Sequence, residues 1–192
     1  MADIMTYSRK KIKIVAPAGW TLIRDDFNPP IQQALYQRTI WGGDAESQRW
    51  TFNQRADAQG AVLLLDNAAR EAPIEAISGS IGNGWQFTAK PVIASSRGDL
   101  VLGFYATDFP GSGLGPKIPA NMSKIVDWGN MERSYWIAGE FQSGPGSTGA
   151  KVASGVQLVN WVAAQLAVKW ANPADAEHCG GAIAARSGPQ VD

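Results

Sequence analysis

Apolar and polar residues alternate along this chain with a period near two, in short runs separated by glycine, proline and asparagine. Lys11-Ile12-Lys13-Ile14-Val15 alternates basic and apolar residues, Pro17 and Gly19 mark a tight turn, and Trp20-Thr21-Leu22-Ile23-Arg24 resumes the pattern. Successive side chains of a strand point to opposite faces, so this spacing predicts two strands about a turn. Residues 34–41, 50–52 and 60–65 are rich in β-favouring residues and predict further strands, with loops at 25–30 and 42–44. Residues 67–77 contain a proline and predict a loop, and Gly79-Ser80-Ile81-Gly82-Asn83-Gly84 is too rich in glycine for a regular element. Trp85-Gln86-Phe87-Thr88 predicts a short strand beyond it.

The clearest buried strand is Asp99-Leu100-Val101-Leu102-Gly103-Phe104-Tyr105-Ala106, entered through Arg97-Gly98. Residues 134–141 predict another, and the glycines and prolines of 108–116 and 143–149 predict irregular connections. Residues 156–170 fit either a strand or a helix. Leu158, Val162, Leu166, Val168 and Trp170 share one parity, which favours a long strand. Beyond Asn172-Pro173 the composition turns to alanine, glycine, serine and proline. Such a segment buries too little to offset the entropy of fixing it, and needs another surface to hold it. The pattern thus predicts an all-β chain: one antiparallel β-sandwich, jelly-roll or immunoglobulin-like, over residues 1–171, and an extended, irregular C-terminal tail over 172–192.

A length of 192 residues suits one domain with a sizeable core. Seventeen basic and 17 acidic residues leave no net charge, so the electrostatic footprint of a nucleic-acid binder is missing. Near-zero charge also removes the repulsion that keeps copies apart, which points to assembly. The single cysteine forms no internal disulfide. The first residues lack the pattern of a secretory signal, and no run reaches the ~18 apolar residues of a membrane span. A soluble product made in the cytoplasm is expected, with no membrane partner.

The candidate chemistry is thin. The one histidine and the one cysteine are neighbours, His178-Cys179, in the predicted tail; neither a nucleophile with an oriented base nor a four-ligand zinc site is built from them. Gly111-Ser112-Gly113-Leu114-Gly115 lacks the spacing, the lysine and the following helix of a phosphate loop. Gly79-Ser80-Ile81-Gly82 does not match the nucleophile elbow of a serine hydrolase. The carboxylates Asp25, Asp26, Asp44, Asp99, Asp108 and Glu140 are scattered, and nothing in the sequence selects two of them as a glycosidase pair. No cofactor and no catalytic residue is expected, and a non-enzymatic role is favoured.

Eight tryptophans are the more informative inventory. Most fall in predicted strands, where each buries a large apolar area. Trp85, beside Gly84, and Trp128, before Gly129, are the two placed for exposure, where they would anchor a protein contact or stack on a sugar ring.

Four stretches carry a family resemblance: Ala16-Pro17-Ala18-Gly19-Trp20-Thr21-Leu22-Ile23, Gln33-Ala34-Leu35-Tyr36-Gln37-Arg38, Gly98 to Ala106, and Trp161-Val162-Ala163-Ala164-Gln165-Leu166-Ala167. With these the chain resembles, over residues 12–170, a diffuse family of β-sandwich modules found in bacteriophage structural proteins and bacterial surface proteins. The shared motifs are packing motifs. Such modules begin with a further strand ahead of the Ala-Pro-x-Gly-Trp turn, and here only Asp3-Ile4-Met5 stands for its end. The resemblance therefore implies an open sheet edge that a partner strand completes.

Together these readings lead to the expectation of a bacteriophage virion structural protein, foremost a capsid decoration or cement protein. It would associate with copies of itself or with neighbouring virion subunits. A tail or fibre component, and a carbohydrate-binding or adhesin module with a glycan partner, are the alternatives.

Overall fold

The computed structural model describes residues 1–40, 47–108, 117–129 and 133–170, together with the backbone of Ala184–Ser187. Its regular elements among these residues are all strands: β1 (Ala2–Tyr7), β2 (Ile14–Val15), β3 (Thr21–Asn28), β4 (Ile31–Gln37), β5 (Thr51–Phe52), β6 (Asp57–Leu64), β7 (Ile74–Ala89), β8 (Ile93–Ala94), β9 (Leu100–Thr107), β10 (Ser123–Gly129), β11 (Ser134–Phe141), β12 (Gly146–Ser147), β13 (Lys151–Val168) and β14 (Ala184–Ser187). One five-stranded sheet has the order β14-β6-β1-β4-β3 and a second the order β10-β11-β9-β13-β7. All neighbours within them run antiparallel. The two sheets form a β-sandwich.

Strand alternation builds the core between them. Met5, Ile31, Leu35 and Leu63 of the first sheet meet Leu102, Phe104, Ile137, Ala164 and Leu166 of the second. The outer faces are covered as well, which explains why β1 and β9 are buried at every position. Ala2, Ile4, Ala34 and Tyr36 lie under Ile14, Trp20, Trp50 and Phe52, which the short β2–β5 ribbon and its flanks supply. On the far side of the second sheet Val92 and Ala94 cover Ala167, beside the β8–β12 ribbon.

The rest of that far side is covered by a fold-back of the two longest strands. Ser80 Oγ donates to the Thr88 carbonyl and Ser78 Oγ to the Lys90 carbonyl, although β7 runs through both regions. β7 therefore doubles over itself. β13 follows it, and its register jumps between Ser154 and Val159, leaving 155–158 unpaired at the corner. The fold-back sets Phe87, Ala89 and Ala153 on Tyr105, Trp136 and Trp161, with Tyr105 and Trp136 stacked at 5.6 Å.

Several expectations are corrected here. The N-terminal strand is present and central: Ala2–Tyr7 pairs with β4 on one side and β6 on the other, so no partner strand is needed to supply it. The glycine-rich stretch 79–84 is regular strand within β7. Its glycines admit close neighbours, since a Cβ on Gly79 would lie 2.1 Å from Arg24 Nε and one on Gly82 2.3 Å from the Trp161 ring. The loop placed at 67–77 ends early, because β7 starts at Ile74, and β3 runs through most of the loop placed at 25–30. Of residues 11–15 only Ile14–Val15 is strand, while β10 has no counterpart in the sequence pattern. The ambiguous run 156–170 is strand, and Ala184–Ser187 of the predicted tail pairs with β6 at the sheet edge.

Candidate functional site

The corner of β7 and β13 carries three of the most exposed large apolar side chains among the described residues. Trp85 follows Gly84 in the bend and is 58% exposed; Val156 and Leu158, in the unpaired segment opposite, are 63% and 73% exposed. Ile81 and Val152 on the two flanking arms are exposed too. Residues of this kind are kept out of water unless something covers them, and grouped apolar exposure marks interaction sites.

Trp128 is placed differently. It packs against the main core and meets Tyr135 at 6.4 Å between ring centroids, so only part of its ring reaches solvent. One row of paired residues, Trp128, Tyr135, Ala106, Val162 and Ile81, crosses all five strands of the second sheet. Trp128 therefore stands on the β10 edge and the Trp85 corner on the β7 edge. The fold does not bring the two candidate contact residues together.

The sandwich interior holds a second, unforeseen constellation. Asp3 has the parity of Met1 and Met5 and faces the space between the sheets, and Gln33 of β4 and Gln59 of β6 flank Met5 in register. Gln33 Nε2 donates to Asp3 Oδ2 at 3.0 Å. Tyr7, on the same strand face, and Tyr135, reaching in from β11, interact electrostatically with Asp3. Burial pushes the Asp3 carboxyl up to about 8 against the lowering hydrogen bond from Gln33, and burial raises both phenols far above their ordinary range. Arg133 lies over the Tyr7 ring, 4.4 Å from its centroid, and pairs with Asp57. On the other flank Arg24 forms a two-pronged pair with Asp26 at 2.5 and 2.7 Å.

The scattered carboxylates have local partners. Asp25 pairs with Lys11 at 2.9 Å, Asp108 accepts from the Asn160 backbone and side chain, and Glu140 pairs with Lys151. Asp99 is buried, accepts from the Ser96 and Trp170 backbone N–H groups, and is hydrogen-bonded to Glu75. Burial raises the Asp99 carboxyl, and the neighbouring Glu75 adds to the rise. Burial acts against Glu75 too, but hydrogen bonds from Ser95 and Asp99 and the Lys169 charge hold it below its ordinary value. The two carboxyls are thus in direct hydrogen-bond contact, whereas glycosidase pairs stand about 5–9.5 Å apart. Asp44, His178 and Cys179 lie outside the described residues, as do Gly111, Ser112, Gly113, Leu114 and Gly115.

At the Met1 end of the sandwich a groove of about 830 Å³ has Leu63, Leu65, Ile74 and Val168 among its apolar lining and Arg38 and Arg70 among its charged lining. Among the described residues no helix is long and apolar enough to cross a membrane.

Sequence reasoning missed Asp3, Gln33, Gln59, Tyr7 and Tyr135 as a group. The signal available was local: Asp3 and Gln33 are polar residues within short β-favouring stretches. Their meeting depends on the strand order, which pattern alone does not fix.

Comparison with protein-family models, with curated proteins and with solved structures gives no match for this chain.

Proposed function

We propose that this chain is a structural protein that works by packing against protein neighbours, as a capsid decoration or cement subunit of a bacteriophage virion. The observation that carries the protein-contact reading is the apolar corner of Trp85, Val156 and Leu158. Aromatic and aliphatic side chains grouped on a rigid, doubly layered strand corner lose little entropy on docking and make good interface anchors. A specific interface buries at least about 1,000 Å², so the corner would be its centre and the polar residues around it the rim. The virion assignment rests on the resemblance of the packing motifs to phage structural modules, and a tail or fibre position is compatible with the same surface. Asn83 and Gln86 beside Trp85 are exposed and polar, but the exposed side chains opposite it include the aliphatic Val156 and Leu158, which favours a protein partner over a sugar.

The test is the mass of the full chain in solution by light scattering, and its co-sedimentation with phage shells and tails, for the native chain and for Trp85→Ala with Leu158→Ser. Self-association or particle binding that the double substitution weakens at least tenfold supports the reading. A native chain that stays monomeric and ignores both particles overturns it, and glycan binding lost with Trp85→Ala would replace it.

A further inference from the structure

We propose that the outer face of the β2–β5 ribbon is a docking surface for the sugar-phosphate backbone of a nucleic-acid duplex, built by Arg9, Lys10, Lys13, Arg49 and Arg55. The charges of this chain are segregated. A net charge of zero is a total over the whole sequence, and a local excess of one sign survives inside it. Residues 8–15 and 47–55 hold six of the 17 basic residues, Lys11 being the sixth, and not one acidic residue. All six side chains are exposed.

Strand pairing brings the two stretches together. Ile14 pairs with Phe52 and Val15 with Thr51, the Asn53 N–H donates to the Lys13 carbonyl, and Gln54 Nε2 donates to Ser8 Oγ. Alternation then sorts the side chains. Ile14, Trp50 and Phe52 turn inward onto the first sheet, so Lys13, Val15, Arg49, Thr51 and Asn53 share the outer face, in a row of about 13 Å from Asn53 to Arg49. Arg9, Lys10 and Arg55 stand at its end, beside the Ser8–Gln54 contact. Asn53 Oδ1 accepts the Lys13 N–H at 2.9 Å, which leaves the Asn53 amide NH2 as a further donor.

The neighbouring carboxylates do not cancel this stripe. Asp25 is taken by Lys11 at 2.9 Å, Asp26 by Arg24 and Asp57 by Arg133, and among the described residues no carboxylate pairs with Arg9, Lys10, Lys13, Arg49 or Arg55. Lysine, arginine, threonine and asparagine donors side by side are the groups that contact phosphate and sugar. Other anionic partners fit less well. Trp50 and Phe52 point inward, so this face has neither an aromatic anchor for a protein hot spot nor a platform for unpaired bases. Val15 is its one exposed large apolar side chain, too little to enter a bilayer. Contact is thus to the backbone of a duplex and independent of base sequence. The ribbon lies on the first sheet and the Trp85 corner on the second, so this surface is independent of that corner and of the virion reading.

Fluorescence anisotropy of two labelled DNA duplexes of unrelated sequence, titrated with the full chain at several sodium chloride concentrations, tests the proposal. Both duplexes are expected to bind with similar affinity, and the logarithm of the binding constant should fall against the logarithm of salt with a slope of about −2.7 to −4.5, for roughly three to five phosphates. Lys10→Gln with Lys13→Gln should weaken both duplexes alike and make the slope shallower by about 2. Lys90→Gln with Lys117→Gln removes the same charge from exposed lysines beside β7 and β13 and should leave the slope unchanged. Lys10→Gln alone, outside the strands, decides if the ribbon double variant does not fold, with a change of about 1. No binding at the lowest salt, or equal slopes in the two double variants, overturns the surface. Displacement of the duplex by polyglutamate at equal charge overturns it in favour of an acidic protein partner.

Discussion

Ser80 and Thr88 belong to one strand, yet the Ser80 hydroxyl donates to the Thr88 carbonyl oxygen across the fold-back of β7. An extended segment separates residues eight apart by roughly 26 Å, so this single bond defines a strand bent through its own middle. Everything exposed at the corner follows from it: β13 must bend with its partner, four of its residues lose their pairing, and Trp85 is left at the outer side.

Gly82 is where the bend is most sensitive. A Cβ there would stand 2.3 Å from Trp161, whose ring is held by Phe87 at 6.3 Å. Gly82→Ala is expected to cost about 1–3 kcal/mol in urea unfolding by overpacking the Trp161 layer. Gly144→Ala, with nothing within 4 Å of the added atom, should stay within about 0.5 kcal/mol. Equal effects of the two would contradict the close approach of Gly82 to Trp161.

The all-β class and most strand positions were legible because they are local properties. Residues 134–141 and 99–106 alternate or run apolar between turns, and they form β11 and β9 with boundaries within a residue. Gly79 to Gly84 was not legible as strand, since glycine weakens isolated strands and becomes favourable only where Arg24 and Trp161 arrive from elsewhere. Of Ala2–Tyr7 only Asp3-Ile4-Met5 was legible, as the end of a strand, for a related reason: a strand buried on both faces shows no alternation. In the candidate site, Trp85 stands out in the sequence as an aromatic beside a glycine, but the aliphatic residues opposite it depend on a register jump that no sequence signal marks.

Exposure at the corner separates stability from association. Trp85→Ala and Leu158→Ser remove side chains that water already reaches, so each should change the unfolding free energy by no more than about 0.5 kcal/mol. Trp136→Ala, in the fully buried layer beneath, should cost about 3–5 kcal/mol. Calorimetry on the three variants checks the contrast. A corner substitution as damaging as Trp136→Ala would mean that Trp85 supports the fold instead of facing a partner.

The Asp99–Glu75 pair ties the start of β9 to the start of β7 and, through the Trp170 N–H, to the end of β13. Asp99→Ala leaves the Ser96 and Trp170 N–H groups without their acceptor and is expected to cost about 2–4 kcal/mol. Glu75→Ala, on the more open side of the pair, should cost less, because Ser95 can turn to water. Denaturant midpoints with an unchanged slope would report both effects; the reverse ranking would show that Glu75, not Asp99, anchors the three strands.

Asp3 makes folding less favourable as pH rises from about 4. Its carboxyl titrates at about 8 in the folded chain against an ordinary 3.8, because burial disfavours the charged form. The folded state therefore keeps a proton that the unfolded state gives up. That contribution to stability is complete below about pH 4, falls as pH rises, and is gone once pH passes the folded value. Between the two values the slope approaches about 1.4 kcal/mol per pH unit for a single group. The Tyr7 and Tyr135 phenols are raised further and stay neutral across the window, whereas burial lowers the Met1 amino group to about 6, which adds a slope of the opposite sign between about pH 6 and 8. Unfolding free energies from about pH 4.5 to 6 should thus decline in the native chain and decline less steeply in Asp3→Asn, which keeps the shape and carries no titrating carboxyl. An Asp3→Asn curve parallel to the native one would place the pH dependence elsewhere and show that Asp3 is ionised inside the sandwich.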